Sequence, residues 1–83
     1  MKEAPNGVAG QGRPLSSVPP GESVRIVRVD AGAGLRSRLA AMGLVPGVEV
    51  RMMRNSGHGP AVVEVKGTRL ALGRGMALQI RAE

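Results

Sequence analysis

No cysteine, phenylalanine, tyrosine or tryptophan occurs among the 83 residues, and each absence removes a class of function. Without cysteine there is neither a disulfide nor a thiolate metal site, and the single histidine cannot build a histidine cluster. Without aromatic faces the chain lacks the usual means of stacking nucleic-acid bases or lining a groove for proline-rich peptides. No run approaches the roughly 18 apolar residues of a membrane span, and the N-terminus lacks the apolar core of a secretory signal. Together these features predict a soluble cytoplasmic protein.

Acids are also scarce. The six, Glu3, Glu22, Asp30, Glu49, Glu64 and Glu83, are spread singly. Glu49 and Glu64 on neighbouring strands would offer a loose site for a hard cation such as Fe²⁺ or Mg²⁺. The commoner use of such residues is cross-strand pairing with Arg51 or Lys66. His58 lies in a polar glycine-rich loop, where a solvated imidazole is the expected state and one imidazole alone binds metal weakly. A hydroxyl nucleophile needs a positioned base, and nothing places a serine or Thr68 beside His58. Gly32-x-Gly34 lacks the third glycine of a dinucleotide fingerprint, since Ser37 stands there, and no Gly-Lys-Ser/Thr phosphate loop exists. The chain therefore reads as a non-enzyme with no cofactor, no catalytic residue and no metal site.

What is plentiful is positive charge. Ten arginines and two lysines give a net charge of +6, but they are scattered through nearly every segment without a block of like charge, as on solvated strand faces. No nucleic acid is expected as a partner. The core must come from Val, Leu, Ile, Ala and the five methionines, with Met42, Met52 and Met76 as gap-fillers.

Residues 1–13, rich in glycine and poor in apolar side chains, read as a disordered leader, and 14–83 as one folded domain. Leu15 and Val18 are the first anchors, and Pro19-Pro20-Gly21 turns into a strand from Glu22 to Asp30. Its apolar phase slips between Ile26 and Val27, which predicts a bulge or burial on both faces. Val48, Val50 and Met52 alternate with Glu49 and Arg51 in a second strand, and Ala61, Val63 and Val65 mark a third. Gly67 makes a tight turn into a fourth strand, Thr68 to Leu72. After a short twist at Gly73 to Met76, Ala77 to Arg81 is assigned as the last strand. Five short strands and one helix predict an all-β fold, a small SH3-like five-stranded barrel with the helix between the first and second strands. An OB-like barrel differs chiefly in where the helix falls. Weak self-pairing through an imperfectly closed edge is compatible with this fold.

The most legible stretch is Arg38 to Val48. Leu35, Leu39 and Met42 share one helical face. Gly43 then closes the helix with a left-handed residue, and Pro46-Gly47 supplies a type II turn. This corner, pinned by Gly43, Pro46 and Gly47, presents Leu44 and Val45 rigidly. If exposed beside Met42 and Arg38, they form an apolar anchor with a cationic rim; the alternative places both in the core.

The chain resembles the ferrous iron transport protein A family, FeoA, from about Leu15 to Arg81. The resemblance is carried by Leu15 and Val18 leading to Gly21, the Val24 to Val29 strand, and Arg38-Leu39 with Met42-Gly43-Leu44-Val45-Pro46-Gly47. Val65-x-Gly67, and Ala71-Leu72 followed by Ala77 and Ile80, complete it. It implies an SH3-like barrel and a binding role in Fe²⁺ uptake through contact with the cytosolic G-protein region of the membrane transporter FeoB, which would hold the protein at the inner membrane. The same domain ends certain iron-responsive repressors, but no winged-helix segment is seen here, so a stand-alone module is expected. Two rival readings stay open: a basic small-barrel nucleic-acid binder and a metal-sensing regulatory module.

Overall fold

The computed structural model describes residues 12–83, so most of the expected leader lies outside the described residues. Six strands form one antiparallel sheet: β1 (Arg13–Pro14), β2 (Ser23–Val29), β3 (Glu49–Arg54), β4 (Ala61–Val65), β5 (Thr68–Leu72) and β6 (Ile80–Ala82). Their order across the sheet is β1-β6-β2-β3-β4-β5. A 3-10 turn, Leu15–Ser17, follows β1; helix α1 (Ala33–Ala41) joins β2 to β3, and a short helix α2 (Arg74–Gln79) joins β5 to β6.

Strand β2 organises the sheet because it changes partner along its length. Ser23, Val24 and Arg25 pair with Arg51, Val50 and Glu49 of β3, whereas Ile26, Arg28 and Val29 pair with Ala82, Arg81 and Ile80 of β6. The register shifts between Ile26 and Arg28, which makes Val27 the extra residue of a bulge at the predicted phase slip. The bulge bends the strand and lets one sheet wrap the core. A second shift, between Met52 and Arg54 of β3, bends the facing strand in the same way. Alternation then sends Val24, Ile26, Val50, Met52, Ala61, Val63 and Val65 inward. Leu15, Val18, Leu39, Leu44, Leu72, Ala77, Ile80 and Ala82 complete the buried cluster, which contains no aromatic ring.

Three features differ from the sequence reading. The sheet has six strands and its order runs open from β1 to β5, in place of a closed five-stranded barrel. The added strand β1 is two residues long and ends in Pro14, which has no N–H to donate to a further ladder. The third concerns Ala77 to Gln79, which lie in α2 and not in the last strand. Ala77 and Ile80 are both buried while Leu78 is 57% exposed; burial three residues apart is the signature of a helical turn rather than of alternation. Gly12 and Arg13, assigned to the leader by composition, lie against β6. Arg13 pairs with Ala82, and a Cβ on Gly12 would stand 2.6 Å from the Ala82 carbonyl oxygen.

A polar clamp joins the entry segment to the far side of the sheet. The Asn55 side-chain amide donates to the carbonyls of Ser16 and Val18 at 2.8 and 2.9 Å. Its oxygen accepts from Arg74 at 3.1 Å. Sequence reading assigned Asn55 only to a polar loop.

Candidate functional site: the cleft between helix α1 and the corner

Helix α1 is attached to the domain lightly. Leu39 is its only buried residue, with Leu35 half-buried against the core. Gly32 caps its N-terminus without a side-chain hydrogen bond. Asp30, two residues before Gly32, accepts from Arg28 and lies 3.6 Å from Arg81.

The helix end explains the corner. The Gly43 amide donates to Ala40 and the Leu44 amide to Leu39, both at 2.9 Å, while Gly43 has φ +90°. This is a Schellman motif, in which the second residue past the cap turns back onto the last helical turn. That residue is Leu44, which accordingly enters the cluster containing Leu39 and is only 1% exposed. Val45 points the other way and is 40% exposed. Val45 and Val48 close the following turn through a 3.2 Å backbone hydrogen bond, with Gly47 at φ +95°, as a type II turn requires. The Gly47 amide also donates to Ile26 at 2.7 Å, and the Ile26 amide donates to Val48 at 2.9 Å. The turn is thereby fixed to the centre of β2.

Between this turn, the end of β2 and helix α1 lies a cleft of about 340 Å³. Val29, Ala40 and the edge of Leu44 form its apolar floor, with Val45 and Pro46 as one wall. Arg28 and Arg36 stand at its rim. Arg28 donates to Asp30 through Nε at 2.6 Å and through a second guanidinium nitrogen at 3.3 Å. The hydrogen bond from Arg28, with the nearby positive charge of Arg81 adding to it, holds the Asp30 carboxyl below its ordinary value, and Asp30 in return raises Arg28. Arg28 is thus oriented and permanently charged at the mouth.

Of the residues put forward from sequence as a contact surface, Val45 lines this cleft, and Gly43, Pro46 and Gly47 form the corner as expected. Leu44 is corrected: it is a core residue, because the helix-closing motif turns it inward, and only its edge reaches the floor of the cleft. Arg38 and Met42 are exposed, Met42 to 37%, but neither lines the cleft. Arg28, Val29, Arg36 and Ala40 were not singled out, since β2 and α1 converge only through tertiary packing. His58 is exposed, and its carbonyl accepts from the Ser56 hydroxyl at 2.8 Å. Among the described residues no three His, Asp or Glu side chains gather to hold a metal ion. Glu49 and Glu64 do sit on adjacent strands, in register with Arg25 on one side and Arg51 on the other. Among the described residues no helix is long and apolar enough to cross a membrane.

Comparison with known proteins agrees with this architecture. A family described as the FeoA domain matches residues 13–83. A candidate Fe(2+) transport protein A of Methanocaldococcus jannaschii is 39% identical over 70 residues, 84% of each chain. Among solved structures, an iron uptake regulatory protein (FeoA) superposes with a TM-score of 0.78 at 32% identity, covering 86% of this chain and 93% of its own. Zinc-complexed FeoA of Stenotrophomonas maltophilia, described as a prokaryotic SH3 domain protein, superposes with a TM-score of 0.73 at 34% identity, covering 83% and 87%. With matching running from the first strand to the last residue, the chain belongs to the FeoA family.

Proposed function

We propose that this protein is an accessory module of ferrous iron uptake that works by binding. It contacts the cytosolic G-protein-bearing region of the membrane transporter FeoB and modulates Fe²⁺ transport from the cytoplasmic face. Family membership supplies the system; the feature of the molecule that carries the reading is the cleft beside Val45. An apolar side chain 40% exposed on a doubly fixed turn, over an apolar floor with arginines at its edge, has the anatomy of a small interface. Because backbone hydrogen bonds hold the turn, little ordering entropy opposes docking.

The test is titration of the purified cytosolic region of FeoB from the same organism with the full chain by calorimetry. The wild-type chain is expected to bind, and Val45→Asp to weaken binding by at least about tenfold, equivalent to about 1.4 kcal/mol, while keeping the wild-type circular dichroism spectrum and melting temperature. Equal binding by a folded Val45→Asp variant would place the contact elsewhere, and absence of wild-type binding would refute the partner.

A further inference from the structure

We infer that the cleft receives an aliphatic side chain from an acidic peptide segment, so that the partner's recognised element is a short apolar and acidic motif. This rests on the cleft being the partner site and goes further in specifying what enters it. Three observations define the occupant. The floor offers Val29, Ala40 and the edge of Leu44, which presents no side-chain hydrogen-bonding group and so favours an apolar entrant. A volume of about 340 Å³ is at the bottom of the range of about 300–1,000 Å³ typical of small-molecule sites, enough for one or two aliphatic side chains.

The third observation is charge. Arg28 and Arg36 line the mouth, Arg81 is the partner in register of Arg28 on β6, and the acid set beside them is Asp30, already held by Arg28 and Arg81. The mouth is therefore cationic, on a chain of net charge +6. Carboxylates flanking the inserted side chain complement it and speed encounter. An anionic bilayer would supply the same negative charge, but it needs a protruding apolar surface; here Val45 and Pro46 form the wall of a recess. The recess fits a side chain on a peptide.

The experiment is a titration of the isotope-labelled full chain, followed by NMR, with three short synthetic peptides. One carries a leucine pair among glutamates, one the same pair among lysines, and one serines in place of the leucines among glutamates. The acidic leucine peptide is expected to shift the amides of Val29, Ala40 and Val45, and to lose about tenfold in affinity between about 50 and about 300 mM salt as the charges are screened. The lysine and serine peptides are expected to bind at least about tenfold more weakly, and Arg36→Glu to reverse the preference between glutamate and lysine peptides. Equal binding of acidic and basic peptides, shifts that map away from the cleft, or no binding of any peptide would overturn the inference. So would binding of phosphatidylglycerol vesicles that shifts the same amides when the acidic peptide does not. Transporter binding that depends on Val45 but neither on salt nor on Arg36 would leave the proposed function standing and refute this inference. Acidic-peptide binding at the cleft without transporter binding would do the reverse.

Discussion

At the scale of single residues, the contrast between Leu44 and Val45 is the sharpest statement about this molecule. The two are adjacent, aliphatic and similar in hydropathy, yet one is 1% and the other 40% exposed. Alternation or helical periodicity cannot divide them, because they lie between elements. What divides them is the pair of hydrogen bonds that closes α1 on Ala40 and Leu39. Truncating Leu44 to alanine should therefore cost about 2–5 kcal/mol, the usual range for a buried leucine. In a domain of this size each kcal/mol moves the melting temperature by about 4–8 °C. Val45→Ala should stay within about 0.5 kcal/mol of wild type, as surface changes do. Thermal melts of both variants decide the matter; similar losses at the two positions would contradict the corner described here.

At the scale of elements, the sequence was legible wherever a rule is local. The bulge in β2 follows from a slip of apolar phase at Ile26 and Val27, and the tight turn after β4 follows from Gly67, with Lys66 and Gly67 at φ +50° and +84°. The corner itself follows from Gly43 and Pro46-Gly47. Illegible features depend on partners distant in sequence. Two-residue β1 exists because Arg13 and Pro14 meet Ala82 and Arg81, and its residues carry no strand pattern. The second half of helix α2, Ala77 to Gln79, replaced the start of an expected strand because Ala77 and Ile80 pack inward one helical turn apart, a spacing hidden within a short run. The cleft was half legible: its turn was visible, whereas Arg28 and Arg36 reach it from different elements.

Asn55 shows the same dependence energetically. Both amide hydrogens are used on carbonyls 37 and 39 residues away in sequence, and its oxygen is used by Arg74. Asn55→Asp keeps the size and improves the acceptor for Arg74, but it removes both donors and sets a carboxylate against two carbonyl oxygens. The expected loss is about 1–3 kcal/mol, the cost of unsatisfied part-buried polar groups. Chemical denaturation of the variant measures it, and unchanged stability would mean that the clamp does not tie the Ser16 to Val18 segment to the sheet.

At the scale of the whole molecule, an excess of arginine makes the few carboxylates matter through where they sit. Asp30 lies where β2 ends, accepts from Arg28 and is bridged to Arg81 of β6, so it joins two strands while relieving repulsion between two arginines that are partners in register. Arg28 lowers its folded-state pKa, and Arg81 adds to the shift. A lowered carboxyl pKa means that the unfolded chain binds its proton more readily. Stability from Asp30 is therefore fully present above the unfolded value of about 3.9 and is lost as pH falls through the lower folded value. The stability difference between wild type and Asp30→Asn should be constant from neutral pH down to about 5, then shrink and vanish in stronger acid. Since the groups are exposed to solvent, it should also shrink with added salt at neutral pH. Urea unfolding of both chains across this range provides the measurement. A difference that persists unchanged into strong acid would show that Asp30 acts through packing or neutral hydrogen bonds, and that Arg28 is held at the mouth of the cleft by something other than its charge.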